Sequence, residues 1–319
     1  YFGTGQTYVV SPLLADGAPK NTTRDALYTN TTLALNPDTG KLVWHYQHVA
    51  GDVWDLDWVF ERTLATVPGP KGPRKIVVTV GKTGIIDALD ARTGKYLWSL
   101  DMGMQNLITS IDPKTGRKTH DLSLIPEKGK LKLVCPGTVG ARNWNSTAYD
   151  PGSGLLYLPM FETCNDMGLF EDSASTSSYT NYGEFKTIPR PKPGTDGQFG
   201  RVAAVDIRTG RRTWTNKYRA EPLNALLATA GGLVFAGTRD RWFRALDAAS
   251  GEELWRARLD NVPNSFPISY MVKGRQYLAV ASGAGSSIDI TVKWAAAEIP
   301  NVGPGRTLTV FALPEKFEK

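Results

Sequence analysis

The chain has 319 residues, 41% of them hydrophobic, which is enough apolar material for a sizeable buried core. Its net charge of +6 is modest for that length and suits either a solvated surface or an acidic docking partner; the basic residues are not interleaved with aromatics as a nucleic-acid groove requires. No apolar run reaches the ~20 residues of a membrane-spanning helix, and two cysteines, Cys135 and Cys164, do not by themselves fix a redox compartment.

The chain opens on Tyr1-Phe2-Gly3-Thr4-Gly5, which reads as the end of a strand with neither Met nor leader. A processed or partial product is expected, and its start says nothing about compartment. A repeat follows. Ala34-Leu35-Asn36 leads to Gly40 and Trp44, and the same spacing recurs as Ala88-Leu89-Asp90 to Trp98, Ala204-Val205-Asp206 to Trp214, and Ala245-Leu246-Asp247 to Trp255. In every copy Gly stands four residues after the Asn or Asp, and Trp eight after it.

The physics of one copy is readable. An apolar strand, such as Ile85-Ile86-Asp87-Ala88-Leu89, runs into a tight turn in which Asp bonds nearby backbone and Gly supplies positive φ. The outgoing strand carries a Trp that buries about 150–250 Å² and can wedge between neighbouring sheets. Blades that cannot bury their faces alone are locked to one another this way. The expected fold is all-β: a partial β-propeller over residues 1–319, about five blades' worth, with few helices.

Three segments depart from plain blades. Gly51-Asp52-Val53-Trp54-Asp55-Leu56-Asp57-Trp58 holds three carboxylates among two tryptophans. If buried, they need a cation or donors. On an extended segment Asp55 and Asp57 point the same way and can share a cation; an acidic surface loop is the alternative. In Val80-Gly81-Lys82-Thr83-Gly84 the lysine either reaches into a cavity or sits on an ordinary β-turn. Cys135-Pro136-Gly137 leads to Gly140 and Asn143-Trp144-Asn145, with Cys164 beyond; the two cysteines form a disulfide or remain buried thiols. The three histidines, His45, His48 and His120, have no zinc spacing, and no helix follows either Gly-x-Gly, so nucleotide binding is unsupported.

Further along, Ser146–Pro151 and Leu155–Pro159 read as remnants of a blade that has lost its Trp, and Gln276–Val280 with Thr307–Phe311 as a closing strand pair. Loops are expected near 101–130, 163–200 and 284–305. Within the second of these, Tyr179 and Tyr182, together with Phe161 and Phe170, line a substrate funnel or pack on the surface.

Taken in order, these segments resemble the quinoprotein alcohol dehydrogenases that depend on pyrroloquinoline quinone (PQQ), the methanol and ethanol dehydrogenase type. The resemblance runs along nearly the whole chain but matches only the C-terminal part of that family, whose members are eight-bladed, typically periplasmic, and pass electrons to a c-type cytochrome. It implies oxidation of an alcohol to an aldehyde or ketone, with PQQ and calcium or a lanthanide as cofactors. By it, Asp55 is the catalytic base. Lys82, Asn143 and Trp144 contact the quinone; Gln6, Asp55 and Asp57 are placed at the metal; Cys135 and Cys164 form a disulfide.

Departures are visible too. Gln6 stands where relatives have Asn, Leu223-Asn224-Ala225 lacks a Trp found in many, and Ser287 replaces another after Gly283-Ala284-Gly285. A propeller segment N-terminal of Tyr1 is expected to complete the cofactor site. A non-catalytic propeller scaffold and a quinoprotein sugar or polyol dehydrogenase are the alternatives.

Overall fold

The computed structural model describes residues 1–6, 24–170, 185–283, 288, 292, 294–300 and 302–313. Tyr179, Tyr182, Ala284, Gly285 and Ser287, named above, lie outside them. The chain divides into two compact units: residues 1–143 with 162–194, and residues 144–161 with 195–319.

The first unit is built of antiparallel sheets. Phe2–Gly3, Thr31–Leu35 and Leu42–Gln47 form one. Thr63–Val67, Arg74–Val80, Ile85–Asp90 and Tyr96–Asp101 form a four-stranded blade. Ile108–Ile111 pairs with Lys118–His120, and a last sheet joins Lys132–Val134, Thr163–Leu169 and Phe185–Pro191. In the second unit Ala148–Asp150, Leu155–Phe161, Gly200–Asp206 and Arg211–Tyr218 make one four-stranded blade. Leu227–Ala228, Leu233–Gly237, Trp242–Asp247 and Glu253–Arg258 make another. A three-stranded sheet of Ile268–Val272, Arg275–Gly283 and Arg306–Ala312 follows.

The repeat works as its residues dictate. Asp90 Oδ1 accepts the backbone N–H groups of Arg92 (3.1 Å) and Thr93 (3.0 Å), and Asn36 and Asp247 do the same in their copies. Two of the tryptophans dock on the copy that follows. Trp44 donates its indole N–H to Ala91 O (3.1 Å), and in the second unit Trp214 donates to Ala248 O (3.1 Å). The turn glycine has two duties: Gly94 has φ +70, and a Cβ there would lie 2.6 Å from the Trp44 ring. Gly251 receives Trp214 in the same way. Trp255 lies edge-on to Phe311, with ring centroids 5.0 Å apart.

Three expectations need correction. Ser146–Pro159 is not a degenerate blade: Leu155–Phe161 pairs along its length with Gly200–Asp206, so these are the first strands of the blade that ends on Trp214. The copy without tryptophan lies within 101–130, which is no plain loop. Asp112 accepts the N–H groups of Lys114 (2.9 Å) and Thr115 (2.7 Å), Gly116 has φ +73, and His120 occupies the Trp position. Likewise, 163–200 carries two paired strands, because Thr163–Leu169 is hydrogen-bonded on both sides. These insertion strands belong to the first unit.

Candidate functional site

The site lies in the first unit, where three segments converge. The loop of residues 51–60 has no regular secondary structure and is shaped by its own side chains. Asp52, 1% exposed, accepts the N–H groups of Trp54 (2.9 Å) and Leu56 (2.7 Å). Between them Asp55 adopts φ +69, a left-handed conformation that costs a non-glycine residue about 1–2 kcal/mol. The segment is therefore turned rather than extended, and Asp55 and Asp57 converge through that turn. Trp54 and Leu56 are buried with Leu107, Val134 and Met167 in one apolar cluster, and the Trp54 indole donates to Leu124 O (2.8 Å).

Lys82 follows the strand Arg74–Val80 on a turn closed by the Gly84 N–H to Gly81 O bond (3.0 Å). It is a β-turn lysine whose side chain is nevertheless buried, only 6% exposed. Its ammonium lies 2.7 Å from Asp55 Oδ1 and 2.8 Å from Asp57 Oδ2, and its backbone N–H bonds Asp57 O (3.0 Å). Gly81 permits this approach, since a Cβ there would overlap the Trp58 ring at 2.2 Å. Trp58 is stacked on its other side by His48, with centroids 4.1 Å apart and planes 4° apart.

Gln6, reached from the short strand Phe2–Gly3, completes the cluster. Its backbone N–H bonds Asp57 Oδ1 (2.8 Å) and its side-chain amide donates to Asp55 Oδ1 (3.2 Å). The segment before Asn143 is pinned to the lysine by the Ala141 N–H to Lys82 O bond (2.6 Å). Asn143 itself donates to Val139 O (2.9 Å). Trp144 opens the second unit, where its ring faces Phe266 at 6.4 Å. Cys135 and Cys164 are bonded to each other, with S–S 2.02 Å. Phe161 is fully buried, Phe170 carries Lys186 over its ring at 5.3 Å, and Leu223-Asn224-Ala225 is buried in the second unit.

The electrostatics follow from shared burial. Burial pushes the Asp55 carboxyl up to about 7 against the pull of Lys82. Burial also opposes ionisation of Asp57, but Lys82 outweighs it and holds that carboxyl below its usual value. Burial opposes the charge of Lys82 in turn, and the two aspartates together raise it above the ordinary lysine value. The carboxylates thus share one cation, and of the two only Asp55 titrates near neutrality.

Among the described residues no three His, Cys, Asp or Glu side chains gather as a metal set. The oxygen donors here are the two carboxylates, which suit a hard cation, while the Gln6 amide turns its nitrogen to Asp55 and Lys82 already places a positive group against both carboxylates. These residues fit such an ion, with further oxygens coming from elsewhere. Lys82 also presents an ammonium suited to quinone or carboxylate oxygens.

Sequence reasoning passed over two participants. Arg142, fully buried, donates to Val80 O (3.0 Å) and through Nη2 to both carboxylate oxygens of Glu61 (2.9 and 2.8 Å). It ties the end of the lysine strand to the end of the aspartate loop, and its signal was its place directly before Asn143. His48, the partner of Trp58, carried no signal, because only the fold brings it to that ring.

Comparisons with known proteins place the chain in a family. The chain is 31% identical over 298 residues to quinohemoprotein alcohol dehydrogenase ADH IIB of Pseudomonas putida, covering 92% of this chain and 42% of that protein. It is 31% identical over 272 residues to 1-butanol dehydrogenase (cytochrome c) of Thauera butanivorans, covering 82% of this chain and 38% of the relative. Its structure superposes on a europium-containing methanol dehydrogenase with a TM-score of 0.85 at 26% identity, over 98% of this chain and 56% of the other. The chain therefore spans about half or less of the length of the curated relatives it matches. Residues 17–104 and 107–278 match the glucose/ethanol/alcohol dehydrogenase β-propeller domain, and the chain belongs to that PQQ family.

Proposed function

We propose that this chain carries part of the active site of a PQQ- and metal-dependent alcohol dehydrogenase of the periplasm, one that oxidises an alcohol to an aldehyde or ketone and passes electrons to a c-type cytochrome. The observation that carries this reading is the contact of the Lys82 ammonium with both Asp55 and Asp57 at 2.7 and 2.8 Å, in a buried cluster. A scaffold gains little from such a cluster, because buried charges cost several kcal/mol each in desolvation, roughly, before pairing offsets it. The relatives' printed names, a quinohemoprotein alcohol dehydrogenase, a cytochrome c-linked butanol dehydrogenase and a europium-containing methanol dehydrogenase, support the same chemistry.

In this reading Asp55, Asp57 and Gln6 hold the metal, calcium or a lanthanide, while Lys82 and Asn143 hold the quinone. When bound, the quinone supplies the acceptor for the substrate's hydride, and the metal supplies a Lewis acid. Asp55 takes the hydroxyl proton of the alcohol as a general base. Lys82 anchors Asp55 and donates a hydrogen bond to a cofactor oxygen. The apolar cluster behind the loop, including Trp54 and Leu56, keeps water from the rear of that carboxylate.

The test is Asp55→Asn in the complete protein loaded with PQQ and calcium, with ethanol as substrate and a dye acceptor. Loss of a general base lowers turnover by about 10²–10⁴-fold. Undiminished dye reduction refutes the assignment.

A further inference from the structure

We infer that Asp52 is a positioning residue for Asp55: its carboxylate shapes the backbone that aims the base, without touching the reacting atoms itself. The inference rests on the reading of Asp55 as the base.

Asp52 accepts from three directions. Trp54 N–H bonds Oδ1 at 2.9 Å; Leu56 N–H bonds Oδ2 at 2.7 Å; the Asn30 side-chain amide bonds Oδ2 at 2.8 Å. The first two donors flank Asp55 on either side, so one carboxylate brackets the residue whose φ is +69. A strained left-handed residue persists only where its surroundings over-determine it. Here the determinant is a carboxyl group, 1% exposed, whose two oxygens accept all three of these donors. An amide in its place turns one acceptor into a donor facing other donors, so Asn is no substitute despite its shape.

Asn30 extends the device to the next donor. It is fully buried with φ +48, and its N–H bonds Gly5 O (2.9 Å), one residue before Gln6. Asp52 and Asn30 therefore fix Asp55 and the Gln6 segment in one frame. Asp52 is itself held from behind, since Gly51 N–H bonds Asp25 O (3.1 Å) and takes φ +61. Positioning of this kind matters because a displacement of about 1 Å at a reacting group can cost about 10²-fold in rate.

The experiment compares Asp52→Asn, Asp55→Asn and the double variant in the complete protein loaded with PQQ and calcium, with ethanol and a dye acceptor. Cofactor loading is read from the quinone absorbance and folding from circular dichroism. Asp52→Asn is expected to lower kcat by about 10²-fold, with KM within about threefold and quinone absorbance retained. The double variant is expected to be no slower than Asp55→Asn alone, because positioning a base that is absent has no further effect. Multiplying losses, or a kcat within threefold of the parent, overturn the inference. An unfolded Asp52→Asn protein overturns it as well if Asp52→Glu, which keeps the acceptors, also fails to fold, because Asp52 is then a folding residue. If Asp55→Asn alone keeps full turnover, the reading of Asp55 fails, and that result is distinct from any of these.

Discussion

Lys82 Nζ lies 2.7 Å from Asp55 Oδ1, and this contact opposes the effect of burial on that carboxyl. Burial raises the Asp55 carboxyl to about 7 even with the ammonium in place. Lys82→Met removes the largest opposing influence, so the pKa rises further. Because a base acts in its deprotonated form, the acidic limb of the pH–kcat/KM profile moves to higher pH. A bound divalent cation lowers that limb, and the substitution raises it in either state. A limb that stays in place, measured at saturating cofactor, contradicts the coupling.

Behind Trp58 lies a second charged cluster that the chemistry does not use. Asp87 Oδ2 accepts from both His48 Nδ1 (2.7 Å) and Lys118 Nζ (2.7 Å), all buried. Breaking a buried pair by removing one partner costs about 3–5 kcal/mol, so Lys118→Met is expected to lower unfolding stability by that order in urea titrations.

The same cluster sets an acid lability. Burial lowers the His48 pKa to about 4 despite Asp87, so the folded state keeps the ring neutral where the unfolded chain protonates it. The unfolded state then binds more protons, and stability falls as pH drops from about 6.5 to about 4. Burial opposes ionisation of Asp87, but Lys118 and His48 prevail and hold it to about 2. Its contribution is present above the unfolded carboxyl value and is lost as pH falls through about 2. Urea midpoints at pH 7.5, 5 and 4 should decline stepwise; a flat series contradicts the assignment.

The turn glycines separate backbone strain from packing. Gly40 and Gly94 have nearly the same φ, +67 and +70, but a Cβ meets nothing within 4 Å at Gly40 and the Trp44 ring at 2.6 Å at Gly94. Gly40→Ala is expected to cost about 1–2 kcal/mol from φ alone. Gly94→Ala adds about 1–3 kcal/mol of overpacking. Equal losses in thermal or urea unfolding contradict the docking role of Trp44.

Much of this was legible in the chain. The strand–turn–Trp copies announced the blades because their turn chemistry is local: Asp90 bonds residues two and three ahead. The copy at Asp112 was hidden because His120 replaced the Trp that defined the pattern, although the Asp-to-Gly116 spacing was intact. The carboxylates Asp52, Asp55 and Asp57 stood out as costly to bury without a cation or donors, whereas Lys82 read equally as a turn residue, and its contact with Asp55 and Asp57 comes from the fold. The role of Asp52 was not readable, because it depends on a turned backbone and on Asn30, 22 residues earlier. The stack of His48 on Trp58 and the fork of Arg142 on Glu61 are likewise products of the fold, joining residues that no local pattern connects.

The most direct test of the account is a crystal structure of the complete protein soaked with PQQ and calcium. The account predicts quinone density within hydrogen-bonding reach of Lys82 Nζ, and a metal whose ligands include Asp55. Quinone or metal bound elsewhere, with Lys82 still closed on Asp55 and Asp57, would contradict it.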